Sequence, residues 1–278
     1  MRLIRFGKDG RVRPGLWNNG RIIDLQRLFP DVPDIGEAFF EAGWLERIAE
    51  AADLPGEDID EPLACPVTRP SKIICLGKNY AEHAEEGGFA PPERPLIFAK
   101  GPNTLTGPYD PVRIPKSSDQ LDWEVELAVI IKTGGKRIAR EQALNYIAGF
   151  AVMNDVSARR AQFADSQWFR GKSFDTFAPL GPAIVTPDEI ADLRNLRLQT
   201  RVDGVVMQDG NTRDMMFDIP AIIENISEDI TLVAGDIIST GTPAGVGIFR
   251  DPPVVLRAGN VVECGIESIG SIINPVVE

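Results

Sequence analysis

The chain has 278 residues, 43% of them hydrophobic and 25% charged, with a formal net charge of −12 at pH 7. That is enough apolar material for a packed core, and an acidic surface of this kind repels nucleic acid and anionic membranes. No apolar run approaches the roughly 20 residues that span a bilayer, and three scattered cysteines, Cys65, Cys75 and Cys264, make neither a disulfide framework nor a paired-cysteine metal knuckle.

The opening MRLIRFGKDG has no sustained apolar stretch after its basic residues. It carries no secretory pattern, and a cytosolic protein is expected. Residues 1–70 are expected to form a small α+β domain. A strand is expected over 3–6, then a hairpin of 15–17 and 21–25 closed by Asn18-Asn19-Gly20. Residues 35–51 follow a helical pattern through Ala38, Phe39, Leu45, Ile48 and Ala49. A connector punctuated by Pro55, Pro62, Pro66 and Pro70 leads into a larger β-rich domain, residues 71–278. Its expected strands are 72–76, 95–99, 121–131, 147–152, 196–202 and, after an Asp203-Gly204 turn, 205–208. Helices are expected over 140–146, 157–163 and 219–226, the last capped by Asp218 with Pro220 in its first turn. The stretches 232–238 and 256–262 echo each other, each a tight turn feeding a strand.

Chemistry concentrates in the carboxylates. On a strand, side chains two apart share a face, so Glu124 and Glu126 would stand roughly 6–7 Å apart. At that distance they repel by about 2–3 kcal/mol, which next to a core calls for a cation. Asp155 ends the apolar run 150–153 and precedes a helix, a favoured place for a functional acid beside a rigid sheet. Three carboxylates are hard oxygen ligands that suit Mg²⁺, Mn²⁺ or Ca²⁺ rather than zinc.

His83 is the only histidine. It lies three residues before Glu86, close enough on a helical turn for the carboxylate to orient the imidazole as a base. Gly87, Gly88, Pro91 and Pro92 flank the pair and mark a hinged segment of the kind that closes over substrate.

Several motifs in order resemble the fumarylacetoacetate hydrolase family from about Ser71 onward. They are Ile74 to Tyr80 with His83 and Glu86; Pro95 to Lys100; Glu124 to Glu126; Asn154 to Arg159; Gly171 to Asp175; and the loop Thr240-Gly241-Thr242-Pro243. The resemblance implies an unusual mixed β-sandwich roll, α+β and mainly β, behind a small N-terminal domain and assembled as a homodimer. It implies Glu124, Glu126 and Asp155 as ligands of Mg²⁺ or Mn²⁺, with Ca²⁺ as a substitute in crystals. It implies His83 and Glu86 as a water-activating dyad, Lys172 as an active-site lysine, and Lys78, Asn79, Tyr80, Arg159 and Thr242 as substrate contacts. One departure is Arg160, where the family pattern usually carries an acid.

These assignments imply a small α-keto acid as substrate. Its enolate would be stabilised by the cation and by Lys172. Hydrolysis of a C–C bond in a 2,4-diketo acid is the leading expectation, because the dyad can activate water. The bacterial acylpyruvate and 2,4-diketo-3-deoxy sugar acid hydrolases and the heptadienedioate isomerases are the branches it most resembles. Isomerisation and decarboxylation would pass through the same enolate. A ligand-binding protein that reuses the fold would have lost a motif member, and none is missing.

Overall fold

The computed structural model describes every residue except Asp9 and Asn19. A larger sheet of 11 strands has a main path through Arg21–Asp24, Arg13–Asn18, Arg2–Phe6, Ala178–Val185, Ile147–Asn154, Val125–Ile131, Ile237–Ser239, Ile73–Gly77 and Leu96–Lys100. A smaller one of five runs through Val205–Asn211, Arg197–Val202, Val261–Ile266, Gly270–Val277 and Val112–Arg113. Most neighbours are antiparallel, but Ile237–Ser239 runs parallel to Ile73–Gly77. With only short helices around the sheets, the chain is α+β and mainly β, as its sequence implies. Among the described residues no helix is long and apolar enough to cross a membrane.

Strand alternation explains how the large sheet is buried on both faces. Val125, Leu127, Val129 and Ile131 join a core with Leu198, Val262, Cys264 and Ile272 of the smaller sheet. Ala128 and Ile130 point the other way, into a second core with Phe39, Phe40 and Trp44. Glu126 heads that second row, where the apolar cover gives way to polar groups. The first 70 residues are stitched to the rest by this arrangement. Leu3 pairs with Ile184 across the sheet, and it shares the second core with Cys75 and Ile237.

Several expected elements take a different form. Residues 35–51 are three short pieces, Glu37–Glu41, Trp44–Arg47 and a 3-10 turn at Ala49–Asp53. Gly43 breaks the run with φ +68°, a conformation that costs other residues strain. The hairpin forms with Asn18 opposite Arg21, but Leu25 opens a helix capped by Asp24, and Asn19 of the expected turn lies outside the described residues. Residues 140–146 form a 3-10 helix. Ser157 and Ala158 pair with Leu121–Asp122 before a helix begins at Arg159. Asp218 caps the helix Ile219–Ser227 by accepting from the Ala221 N–H. The two echoing stretches each turn at a left-handed glycine, Gly235 or Gly259, and then enter a strand.

Candidate active site

The expected strand over 121–131 is broken. Leu121–Asp122 and Val125–Ile131 are separate, and Glu124 lies in the gap. Strand alternation therefore does not place it. The neighbouring strand does: the Glu124 N–H donates to the Asn154 side-chain oxygen at 3.0 Å, and the Asp155 N–H donates to the Glu124 carbonyl at 2.9 Å. These bonds bring Glu124, Glu126 and Asp155 together, with one oxygen of each within 4.8 Å of the others. All three are buried.

Basic side chains surround the triad. Lys172 donates to Glu124 and to Asp155, both at 2.7 Å. Lys100 donates to the other oxygen of Asp155 at 2.6 Å. Arg159 stands 2.7 Å from Glu124 and 2.8 Å from Asp122. Glu126 has no basic partner; it accepts from the Ser239 hydroxyl and from the Gly241 N–H. The charges act accordingly. Burial, then the charges of Asp155 and Glu124, push the Glu126 carboxyl well above its ordinary range. Burial would raise Glu124 too, but Lys172 and Arg159 outweigh it and hold that carboxyl low. Burial pulls the Lys100 ammonium down despite Asp155, whereas Asp155 and Glu124 overcome burial at Lys172 and raise it.

This donor set fits a hard divalent cation. Three carboxylates converge, an ammonium already bridges two of them, and the third lacks positive charge. Four buried carboxylates, Asp122 included, face three cationic side chains, so with all four ionised, as a bound cation would hold them, one negative charge is in excess. A divalent ion would turn that into one positive charge, enough locally to attract an acid despite the acidic exterior.

A small cavity of about 40 Å³ opens on two members of the triad, lined by Glu124, Glu126, Lys172, Arg159, Thr242 and His83 among others. His83 Nδ1 lies 2.7 Å from Glu86, whose other oxygen accepts from the Gly245 N–H at 2.9 Å. The carboxylate is thereby fixed at both ends, and as an acceptor it favours the tautomer in which Nδ1–H donates to it and Nε2 is left free. The pair lies on the helix Ala81–Glu86, which ends at Gly87; the next residue, Gly88, has φ +69°. Phe89 then packs edge-on to Phe249, which in turn lies against the His83 ring. The segment after the helix thus borders the cavity through Phe89.

Thr242 also lines the cavity and is fixed by Gln208 and the Val125 carbonyl. Lys78 lines it as well. Asn79 and Tyr80, expected as substrate contacts, are not among the residues that line this cavity. The Asn79 amide is spent on main-chain groups of Phe217 and Thr240, and Tyr80 is 2% exposed ahead of the helix. Arg160 faces outward and pairs with Asp119. Sequence reasoning missed Lys100, Asp122 and Gln208. Asp122 accepts from the N–H groups of Trp123, Gly247 and Ile248 and from Arg159. Gln208 ties Val125 to the Thr242 loop.

The family described as "Fumarylacetoacetate (FAA) hydrolase C-terminal" matches residues 72–277. The human protein "Oxaloacetate tautomerase FAHD2A, mitochondrial" is 45% identical over 288 residues, covering 100% of this chain and 92% of the relative. Among solved structures, a fumarylacetoacetate hydrolase from Exiguobacterium antarcticum is 38% identical with a TM-score of 0.84, covering 100% of this chain and 99% of that one. Maleylpyruvate hydrolase from Sphingobium sp. SYK-6 is 34% identical with a TM-score of 0.81 at the same coverage.

Proposed function

The chain belongs to the fumarylacetoacetate hydrolase family, and from that membership we propose a divalent-metal-dependent tautomerase that interconverts the enol and keto forms of a small 2-oxo diacid such as oxaloacetate. The observation that carries this reading is that His83 and the carboxylates Glu124 and Glu126 line one cavity. The tautomerase name of a relative that matches this chain end to end adds weight to proton transfer over hydrolysis. Glu124, Glu126 and Asp155 would hold Mg²⁺ or Mn²⁺, which supplies Lewis-acid stabilisation of the enolate oxygen. His83, its Nδ1–H given to Glu86, uses Nε2 to take a proton from C3 of the keto acid. The same proton count returns on the C2 oxygen, so no bond between carbons breaks and no water is consumed. Lys172 places a positive charge beside the developing enolate, and Thr242 and Arg159 border the space for the carboxylate. In D₂O, Mn²⁺-loaded enzyme should speed deuterium uptake at C3 of oxaloacetate, and His83→Ala should slow it by about 10²–10⁴. An unchanged rate in the variant would overturn the assignment.

C–C hydrolysis of an acylpyruvate is the second reading. It is favoured by Glu86 being anchored at both oxygens, an arrangement suited to a base that holds water, and by the hydrolase among the structural neighbours. Mass-spectrometric detection of pyruvate from acylpyruvates would move the assignment there.

A further inference from the structure

Among the described residues three cationic chains of lysine or arginine line the cavity: Lys78, Arg159 and Lys172. Arg159 is committed to Asp122, Glu124 and Gln162, and Lys172 to Glu124 and Asp155. Among the described residues Lys78 has no carboxylate partner; its ammonium rests 3.9 Å from the centre of the Phe89 ring. Its backbone is unusual as well. Lys78 has φ +58°, a left-handed conformation uncommon for a residue other than glycine. It is held there by Asn79, whose amide and carbonyl are pinned to Met216, Phe217 and Thr240. The fold thus holds a strained residue so that one uncommitted ammonium borders the cavity.

We propose that Lys78 is the specificity residue of this site, its ammonium leaving the Phe89 ring to bind the distal carboxylate of a dianionic 2-oxo diacid. The proposal rests on the tautomerase reading and deepens it by naming the residue that selects a diacid. The carboxylate and oxo group at one end of such a substrate meet the triad; the second carboxylate needs a cation of its own. A charge-assisted hydrogen bond to a carboxylate outweighs an exposed cation–π contact, so the exchange is favourable. Releasing the Phe89 ring also couples substrate charge to the segment that carries His83, because Phe249 touches both rings.

The test compares oxaloacetate with its 4-methyl ester, which removes the distal charge, on Mn²⁺-loaded wild type, Lys78→Met and Lys78→Arg, each variant being read against wild type on the same substrate so that the ester's more acidic C3–H cancels. Lys78→Met should lower kcat/KM for oxaloacetate by about 10- to 100-fold, lower it for the ester by less than about threefold, and leave inhibition by oxalate in place. Lys78→Arg should restore the preference for the diacid. Equal losses on both substrates, or none on either, would overturn the proposal. If wild type tautomerises neither compound, the functional reading fails by itself, and Lys78 is judged by calorimetric binding. A preference for oxaloacetate over the ester that Lys78→Met abolishes supports its role, and equal affinities refute it.

Discussion

Replacing Glu126 by Gln separates a metal ligand from an ordinary buried acid. Its oxygen lies within 4.8 Å of those of Glu124 and Asp155, where two unit charges repel by about 3 kcal/mol at an effective dielectric near 20; without metal the wild type either bears that repulsion or binds a proton to escape it, which is why the Glu126 carboxyl is pushed up. Lys172 and Lys100 offset part of that, but neither bonds Glu126. The amide oxygen of Gln still accepts from Ser239 and Gly241, so the substitution removes charge and little else. Without metal, Glu126→Gln should therefore be more stable than wild type by on the order of 1–2 kcal/mol. For a chain of this size that raises Tm by roughly 2–8 °C. With Mn²⁺ at a hundred times its Kd the order should reverse, since wild type gains about 2.7 kcal/mol from binding and the variant has lost a ligand. Thermal melts with EDTA and with Mn²⁺ read both effects. A variant that is less stable in EDTA, yet stabilised by Mn²⁺ as much as wild type, would refute this account of the triad.

His83→Ala should leave the Mn²⁺ affinity from calorimetry within about threefold, since its ring is held by Glu86 and not by the triad, while removing about 10²–10⁴ of the tautomerase rate. Residues 81–92 should gain hydrogen-exchange protection when Mn²⁺ and oxalate bind together; equal protection with and without them would argue against closure of this segment. We expect a homodimer, and light scattering that gives one chain's mass, 30.4 kDa, at micromolar concentration would contradict it.

Much of the site was legible because its residues sit in patterns with a physical cause. Asp155 follows directly on an apolar strand, and His83 and Glu86 are one helical turn apart. Glu124 was reached by a premise the structure replaces: the strand breaks before Val125, and pairing with Asn154 rather than alternation brings the carboxylate in. Lys100 closes the strand Leu96–Lys100 much as Asp155 follows its own, so the same reasoning applied to a lysine would have found it. Gln208 carries no such signal, since its role depends on a contact between the two sheets. Two long strands escaped because prolines obscured them: Ala178–Val185 contains Pro179 and Pro182, and Gly270–Val277 contains Pro275. The broken helix near Gly43 shows the limit of periodicity, which reports a buried face but not the continuity of the backbone.

The central claim is that one cavity joins a carboxylate-held cation to a proton-carrying histidine. Stopped-flow absorbance of enol oxaloacetate, mixed with Mn²⁺-loaded or EDTA-stripped enzyme, tests it most directly. The account predicts fast decay of the enol signal with Mn²⁺, return to the uncatalysed rate after EDTA, and recovery when Mn²⁺ is restored. Equal decay with and without metal, or no acceleration by an enzyme that cleaves acylpyruvates, would contradict it.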